Sequence, residues 1–345
     1  MKDFLRLLLA ASIVTGCAAE PTAPKAFTAE PATSSGTWTT RASMPTIRQS
    51  LAAAVVQNSS GQYVLYAIGG RNPTNPAMKR VEAYNASANT WTRKADLPAK
   101  RAATNGTGVI SGKIYLVGGF DLNGVTTKTL YVYTPATNTW AKKADLPVSS
   151  AQGITGVIDG KLYVVTGYSV SCSTCNRSGL RRLYRYNPTT NTWTRLADPP
   201  RFHVEGVGGV IDGKLYVDWG LSITTDVYNP ATNQWSAKVT QEYFGTASTC
   251  VEGLQFCSVF GAAGATLDKK LYVIGGLNDD ESMPITEAYD PIANKWVNKT
   301  FMHFSRENPA AGKVKNGAGQ LQILVVGGFS NDPGEYVSVS EAFTP

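Results

Sequence analysis

His203 and Glu205 stand two positions apart near the middle of the chain, an imidazole and a carboxyl suited to act as base and acid. The plainer alternative is a solvated hydrogen bond between them. Their neighbourhood repeats along the chain. Three positions after Pro45, Pro98, Pro147 and Pro200 come Arg48, Arg101, Ser150 and His203, and Arg306 falls in the same register because Met302 matches Met44. Two residues further on stand Ser50, Ala103, Gln152, Glu205 and Asn308. On extended segments both sets would face the same side. Arg48, Arg101, Gln152, His203, Glu205 and Arg306 are then expected to converge on one ligand-binding opening. The arginine fork matches a carboxylate, so the expected ligand is an anion or a sugar. Alternatively, the recurring arginines hold backbone carbonyls of neighbouring units together. Unique departures such as His203 and Glu205 are the better functional candidates, with catalytic roles assigned to neither.

The N-terminus carries an address. Lys2 and Arg6 precede the apolar run Leu7 to Val14, which is too short to span about 30 Å of hydrocarbon and reads as a signal peptide over residues 1–16. It ends in Val14-Thr15-Gly16-Cys17, which resembles the lipobox of bacterial lipoproteins. That resemblance implies lipid attachment at Cys17, an extracytoplasmic location and, with Ala18 following, outer-membrane sorting. Residues 17–36 are rich in Ala, Pro, Thr and Ser and read as a disordered tether. In such a compartment the four remaining cysteines are expected in disulfides, Cys172 with Cys175 and Cys250 with Cys257 by proximity. Zinc held by all four is the alternative, disfavoured by irregular spacing, and no metal or cofactor is expected.

The elements that must position these groups are repeats. Apolar runs end in glycine at Gly70, Gly119, Gly167, Gly220, Gly276 and Gly328, about every 50 residues, four of them as doublets. Tyr84 and Trp91, Tyr133 and Trp140, Tyr186 and Trp193, Tyr228 and Trp235, and Tyr289 and Trp296 are each seven apart, around turns rich in Asn and Pro. With Ser111-Gly112, Asp159-Gly160 and Asp212-Gly213 as hairpin turns, each unit reads as four antiparallel strands. These markers resemble the kelch-repeat family, over residues 37–345. The resemblance implies an all-β, six-bladed kelch-type β-propeller. Trp38 has no tyrosine partner before it, and Phe343 has no tryptophan after it. The N-terminal strand is therefore expected to close the last blade, so that no sheet edge is left open.

Composition narrows the function. The net charge of +7 favours anionic partners, and two histidines exclude a His-rich metal centre. The basic run Arg177, Arg181, Arg182 and Arg185 suits an anionic glycan or lipid, or simply a solvated strand; no nucleic-acid partner is expected. Asn278, Asp279, Asp280 and Glu281 read as a solvated acidic turn, with calcium the weaker alternative. Connections on one face of the propeller vary in length, which marks the binding face. The expectation is a membrane-anchored monomer that binds a glycan or protein ligand through that face and the channel mouth. Six-bladed bacterial kelch propellers are also similar to N-acetylneuraminate epimerases. That similarity implies the alternative, an epimerase or mutarotase acting on an acidic sugar. A galactose-oxidase-like copper site is excluded, because His203 and His303 lie in different registers.

Overall fold

The computed structural model describes residues 35–218, 224–239, 259–278, 280–331 and 334–345. The signal peptide, Cys17, most of the tether, Cys250, Cys257 and Asp279 lie outside the described residues. Six four-stranded antiparallel sheets follow one another around an axis. The first blade runs Ala52–Gln57, Tyr63–Ile68, Val81–Asn85 and Thr90–Arg93; the second begins at Thr107–Ile110, the third at Ile154–Ile158, the fourth at Val207–Ile211 and the fifth at Ala263–Leu267. The sixth is built from Ala310–Lys315, Leu321–Val326 and Ser340–Thr344, with Thr37–Arg41 as its outer strand. Trp38 stands opposite Phe343 in that pairing, so the two ends of the chain close the ring as the sequence required. The innermost strands of successive blades touch in a closed circle.

Alternation along each strand puts large apolar residues on both faces, and they fill six clusters, one at each junction between blades. The aromatic markers do more than fill space. Tyr133 donates its hydroxyl to Asn138 Oδ1 at 2.6 Å, and the same oxygen accepts the N–H of Ala95 in the preceding connection at 2.8 Å. Trp140 Nε1 donates to the Ala95 carbonyl at 3.0 Å. The arrangement recurs around Asn89, Asn191 and Asn233, each in the left-handed conformation that asparagine tolerates. In the sixth blade the strands carrying Phe343 and Trp38 come from opposite ends of the chain. No turn supplies an asparagine there, and the residue is Phe343. Trp38 Nε1 still donates to the Thr300 carbonyl at 2.8 Å.

The glycine doublets fix the connections. The second glycine donates its N–H across to the connection that enters the next blade: Gly70 to the Arg101 carbonyl, Gly119 to that of Ser150, Gly276 to that of Arg306 and Gly328 to that of Arg48, at 2.8–3.0 Å. At Gly118, a left-handed residue with φ of 67°, any Cβ would collide with the Ser150 carbonyl oxygen. Bare backbone is required at this approach.

Candidate functional site at the channel mouth

A ring of backbone hydrogen bonds frames the mouth of the central channel. Ser50 N–H donates to the Asn308 carbonyl, Ala103 to Ser50, Gln152 to Ala103, Glu205 to Gln152, Gly261 to Glu205 and Asn308 to Gly261, at 2.7–3.3 Å. Each blade contributes one residue, and the six bonds close head to tail. All six residues have positive φ, from 46° at Ala103 to 62° at Gly261. Five of them are not glycine, a concentration of backbone strain typical of functional positions. Below the ring lies a cavity of about 270 Å³, walled by small residues of the inner strands such as Ala53, Thr107, Thr155, Gly208, Gly264 and Ala311.

Five of the six ring residues are the set two positions after the arginine register, so alignment on the prolines picked out every ring position but Gly261. It did not locate the side chains. The left-handed turn at each ring residue breaks the strand alternation that would have put both sets on one side. Gln152 and Glu205 face the cavity, joined by a hydrogen bond from Gln152 Nε2 to Glu205 Oε1. The expectation that Arg48, Arg101, Arg306 and His203 share that opening is corrected by the structure. Arg48 is fully buried inside the first blade, paired with Glu82 at 2.5 Å and donating to the carbonyls of Thr46 and Ala67. Arg306 is equally buried against Glu341 and donates to the carbonyls of Gly327 and Val339. Arg101 donates to Thr129 Oγ1 and lies over the Tyr131 ring, 5.8 Å from its centroid. Burial pushes all three guanidinium groups below their usual pKa, while Glu82 and Glu341 oppose the shift in Arg48 and Arg306. Arg48 and Arg306 do hold backbone carbonyls, but within their own blade and beside a carboxylate, not between neighbouring units.

His203 does not face Glu205. Its Nε2 meets Asp226 Oδ2 at 2.9 Å, its ring stacks near Trp235, and both His203 and Asp226 are fully buried. His203 and Asp226 are the fourth blade's version of the Arg–Glu pair. The carboxylates lay outside the sequence expectation, although a signal was present: Glu82, Asp226, Glu287 and Glu341 each stand two residues before the blade's tyrosine or phenylalanine. The fifth blade is the exception. Val259 occupies the arginine register, and Glu287 is left buried with no cationic partner among the described residues. Burial first, and the Asp218 carboxylate second, raise its pKa to about 8.

Around the mouth the rim is aromatic. Phe120 and Tyr168 follow the glycines and pair with Ala102 and Ala151, next to the ring. Arg177 stacks on both rings, 5.6 and 5.4 Å from their centroids. Arg177 directly precedes the second strand of a small hairpin, Tyr168–Ser169 with Ser178–Gly179, whose loop carries the Cys172–Cys175 disulfide, formed as expected. The Tyr168 hydroxyl is held above its ordinary pKa by burial and by the Glu205 charge, against an opposing effect of Arg177. Among the described residues no cluster of three or more metal-ligating side chains is found.

Comparison with known proteins agrees with this architecture. The family model for the KLHDC2/KLHL20/DRC7 Kelch-repeats domain matches residues 27–205, and the Kelch motif matches residues 259–300. Kelch-like protein 23 of Mus musculus is 29% identical over 46% of this chain and 26% of its own length. Spermatocyte protein spe-26 of Caenorhabditis elegans is 26% identical over 42% of this chain and 25% of its own. The chain thus spans about a quarter of the length of these curated relatives. A solved structure, described as the structure of YjhT, superposes with a TM-score of 0.65 at 17% identity, covering 86% of this chain and 95% of that one. With more than half of its length under one family match and the kelch markers in structural register, the chain belongs to the KLHDC2/KLHL20/DRC7 Kelch-repeats domain family.

Proposed function

We propose that this propeller is a binding module that takes a glycan in its channel mouth and is held at an extracytoplasmic membrane surface by lipid on Cys17. The observation that carries the binding reading is the convergence of Ser50, Gln152, Glu205 and Asn308, from four blades, on one cavity of about 270 Å³. Hydroxyl, amide and carboxylate groups match sugar hydroxyls, and the volume, near the lower end of small-molecule pockets, suits one sugar unit rather than a long segment. The epimerase alternative needs two proton-transfer groups at one centre. Its candidate partner for Glu205, the His203 imidazole, is committed to Asp226 elsewhere. Binding is therefore preferred.

Screening the protein on a broad glycan panel, with calorimetry on the hits, is expected to find a ligand whose affinity falls about 10- to 100-fold in Glu205→Gln, the loss of one charged hydrogen bond. A blank panel would leave a protein ligand as the surviving reading of the fold. The anchor is tested separately. Metabolic labelling with a radioactive fatty acid in a two-membrane bacterium should mark the wild type and leave Cys17→Ser unlabelled; equal labelling of both would remove the anchor.

A further inference from the structure

We infer that the Cys172–Cys175 disulfide is a redox latch on the channel mouth: oxidised, it holds Arg177 across the aromatic rim, and reduced, it lets that side open. The inference rests on the mouth being the binding face, as proposed above, and adds its regulation. Among the described residues, three blades carry a hairpin with two-residue strands just after their glycines. In the fifth blade Asn278 pairs with Glu281 across two intervening residues, and in the sixth Ser330 pairs with Glu335 across four. In the third, Ser169 pairs with Ser178 across eight. A longer closed loop costs more chain entropy, and strands this short repay little of it. Of the three loops, the longest is the one with a cross-link.

The bridge acts on the arm that needs it. Val170 on the first arm exchanges hydrogen bonds with Thr126 of the second blade, at 2.9 and 3.1 Å. The second arm leaves a turn in which the Cys175 N–H donates to the Cys172 carbonyl at 3.1 Å, and Arg177 follows two residues later. Arg177 is exposed, and its side chain makes no hydrogen bond or ion pair with any described residue; it is held by stacking on Phe120 and Tyr168. Stacking at an exposed site is weak, so the position depends on the bridge. Release withdraws a positive charge and uncovers two aromatic faces beside the ring. Phe202, packed against the same hairpin at Gly179, is freed with them.

Reduction by a dithiol balances as two thiol–disulfide exchanges. A thiolate of the dithiol attacks Cys175 Sγ, on the more exposed residue, forming a mixed disulfide and expelling Cys172 Sγ as a thiolate. The Thr174 hydroxyl, 3.5 Å away, can donate a hydrogen bond to that thiolate. The second thiol then displaces Cys175, the dithiol leaves as a cyclic disulfide, and both cysteines end as thiols, having gained two electrons and two protons.

The test is limited trypsin cleavage of the whole mature protein, reading the bond after Arg177 by mass spectrometry against the bond after Arg71 in the first blade. Three forms are compared: oxidised, treated with dithiothreitol, and Cys172→Ser/Cys175→Ser, which keeps Cys250 and Cys257 and so isolates this pair. Cleavage after Arg177 is expected to rise at least about fivefold in both opened forms, with the rate after Arg71 unchanged. A smaller rise overturns the latch. So does an equal rise after Arg71, the mark of general loosening. A bridge that dithiothreitol leaves intact in the folded protein overturns the redox assignment even if the double variant opens. None of these outcomes bears on whether the mouth binds a glycan, which the panel decides separately.

Discussion

Glu341→Gln is expected to lower the unfolding free energy by about 3–5 kcal/mol, because it strands a fully buried guanidinium without its carboxylate. Glu341 sits on the last strand and receives three groups: Arg306, the backbone N–H of His303 at 3.0 Å and the His303 ring through Nδ1 at 2.9 Å. Its loss reaches the C-terminal strand, which pairs with Thr37–Arg41 on one side and Leu321–Val326 on the other. Denaturant titration measures the effect, and a paired Arg306→Met/Glu341→Leu variant supplies the control. Apolar side chains of similar size remove both charges at once, so the double variant should recover most of the loss. A single-variant change below about 1 kcal/mol would show that the pair is not the tie we describe.

Glu287→Gln should act in the opposite direction, and with a pH signature. The folded protein keeps a proton on Glu287 up to about pH 8, whereas the unfolded chain releases it near 4.5. Between those values the folded state binds more protons, so its stability falls as pH rises, by about 1.4 kcal/mol per unit. This contribution is fully present below the unfolded value and gone above the folded one. The glutamine variant stays neutral throughout. It is expected to match the wild type in acid and to exceed it by roughly 2–4 kcal/mol in mildly alkaline buffer, short of the full linkage because surrounding structure relaxes. Parallel stability profiles of the two proteins across that range would reject the assignment. Asp218, fully buried and accepting the Thr225 hydroxyl at 2.7 Å, is the charge facing Glu287 from the neighbouring blade.

Much of the fold was legible because its markers are covalently local. A tyrosine, an asparagine five residues on and a tryptophan two beyond that form one hairpin, and each hairpin writes its own spacing into the sequence. Phe343 was legible as the closing position for the complementary reason, since a tyrosine there would lack its asparagine. The site was legible only in register. Ser50, Ala103, Gln152, Glu205 and Asn308 were found in sequence, but nothing in the side chains of the first four announces a left-handed backbone, and only Asn308 and Gly261 are of types that adopt one readily. Without that turn, arginines two positions earlier appear to share the opening. Their true partners, Glu82 and Glu341, stand 34 and 35 residues away on another strand, a separation no local pattern reveals. Val259 opposite Glu287 shows how such pairs can be recovered, by reading departures from the repeat at two positions together.

The closing strand also sets an orientation. Thr37 begins the outer strand of the last blade opposite Thr344, at the end of the sheet where the tight hairpins lie and on the far side from the hydrogen-bonded ring. Whatever the chain carries before Gly36 is therefore joined to the propeller from behind. The proposed lipid on Cys17 and the proposed binding mouth would thus be joined through opposite faces of the propeller.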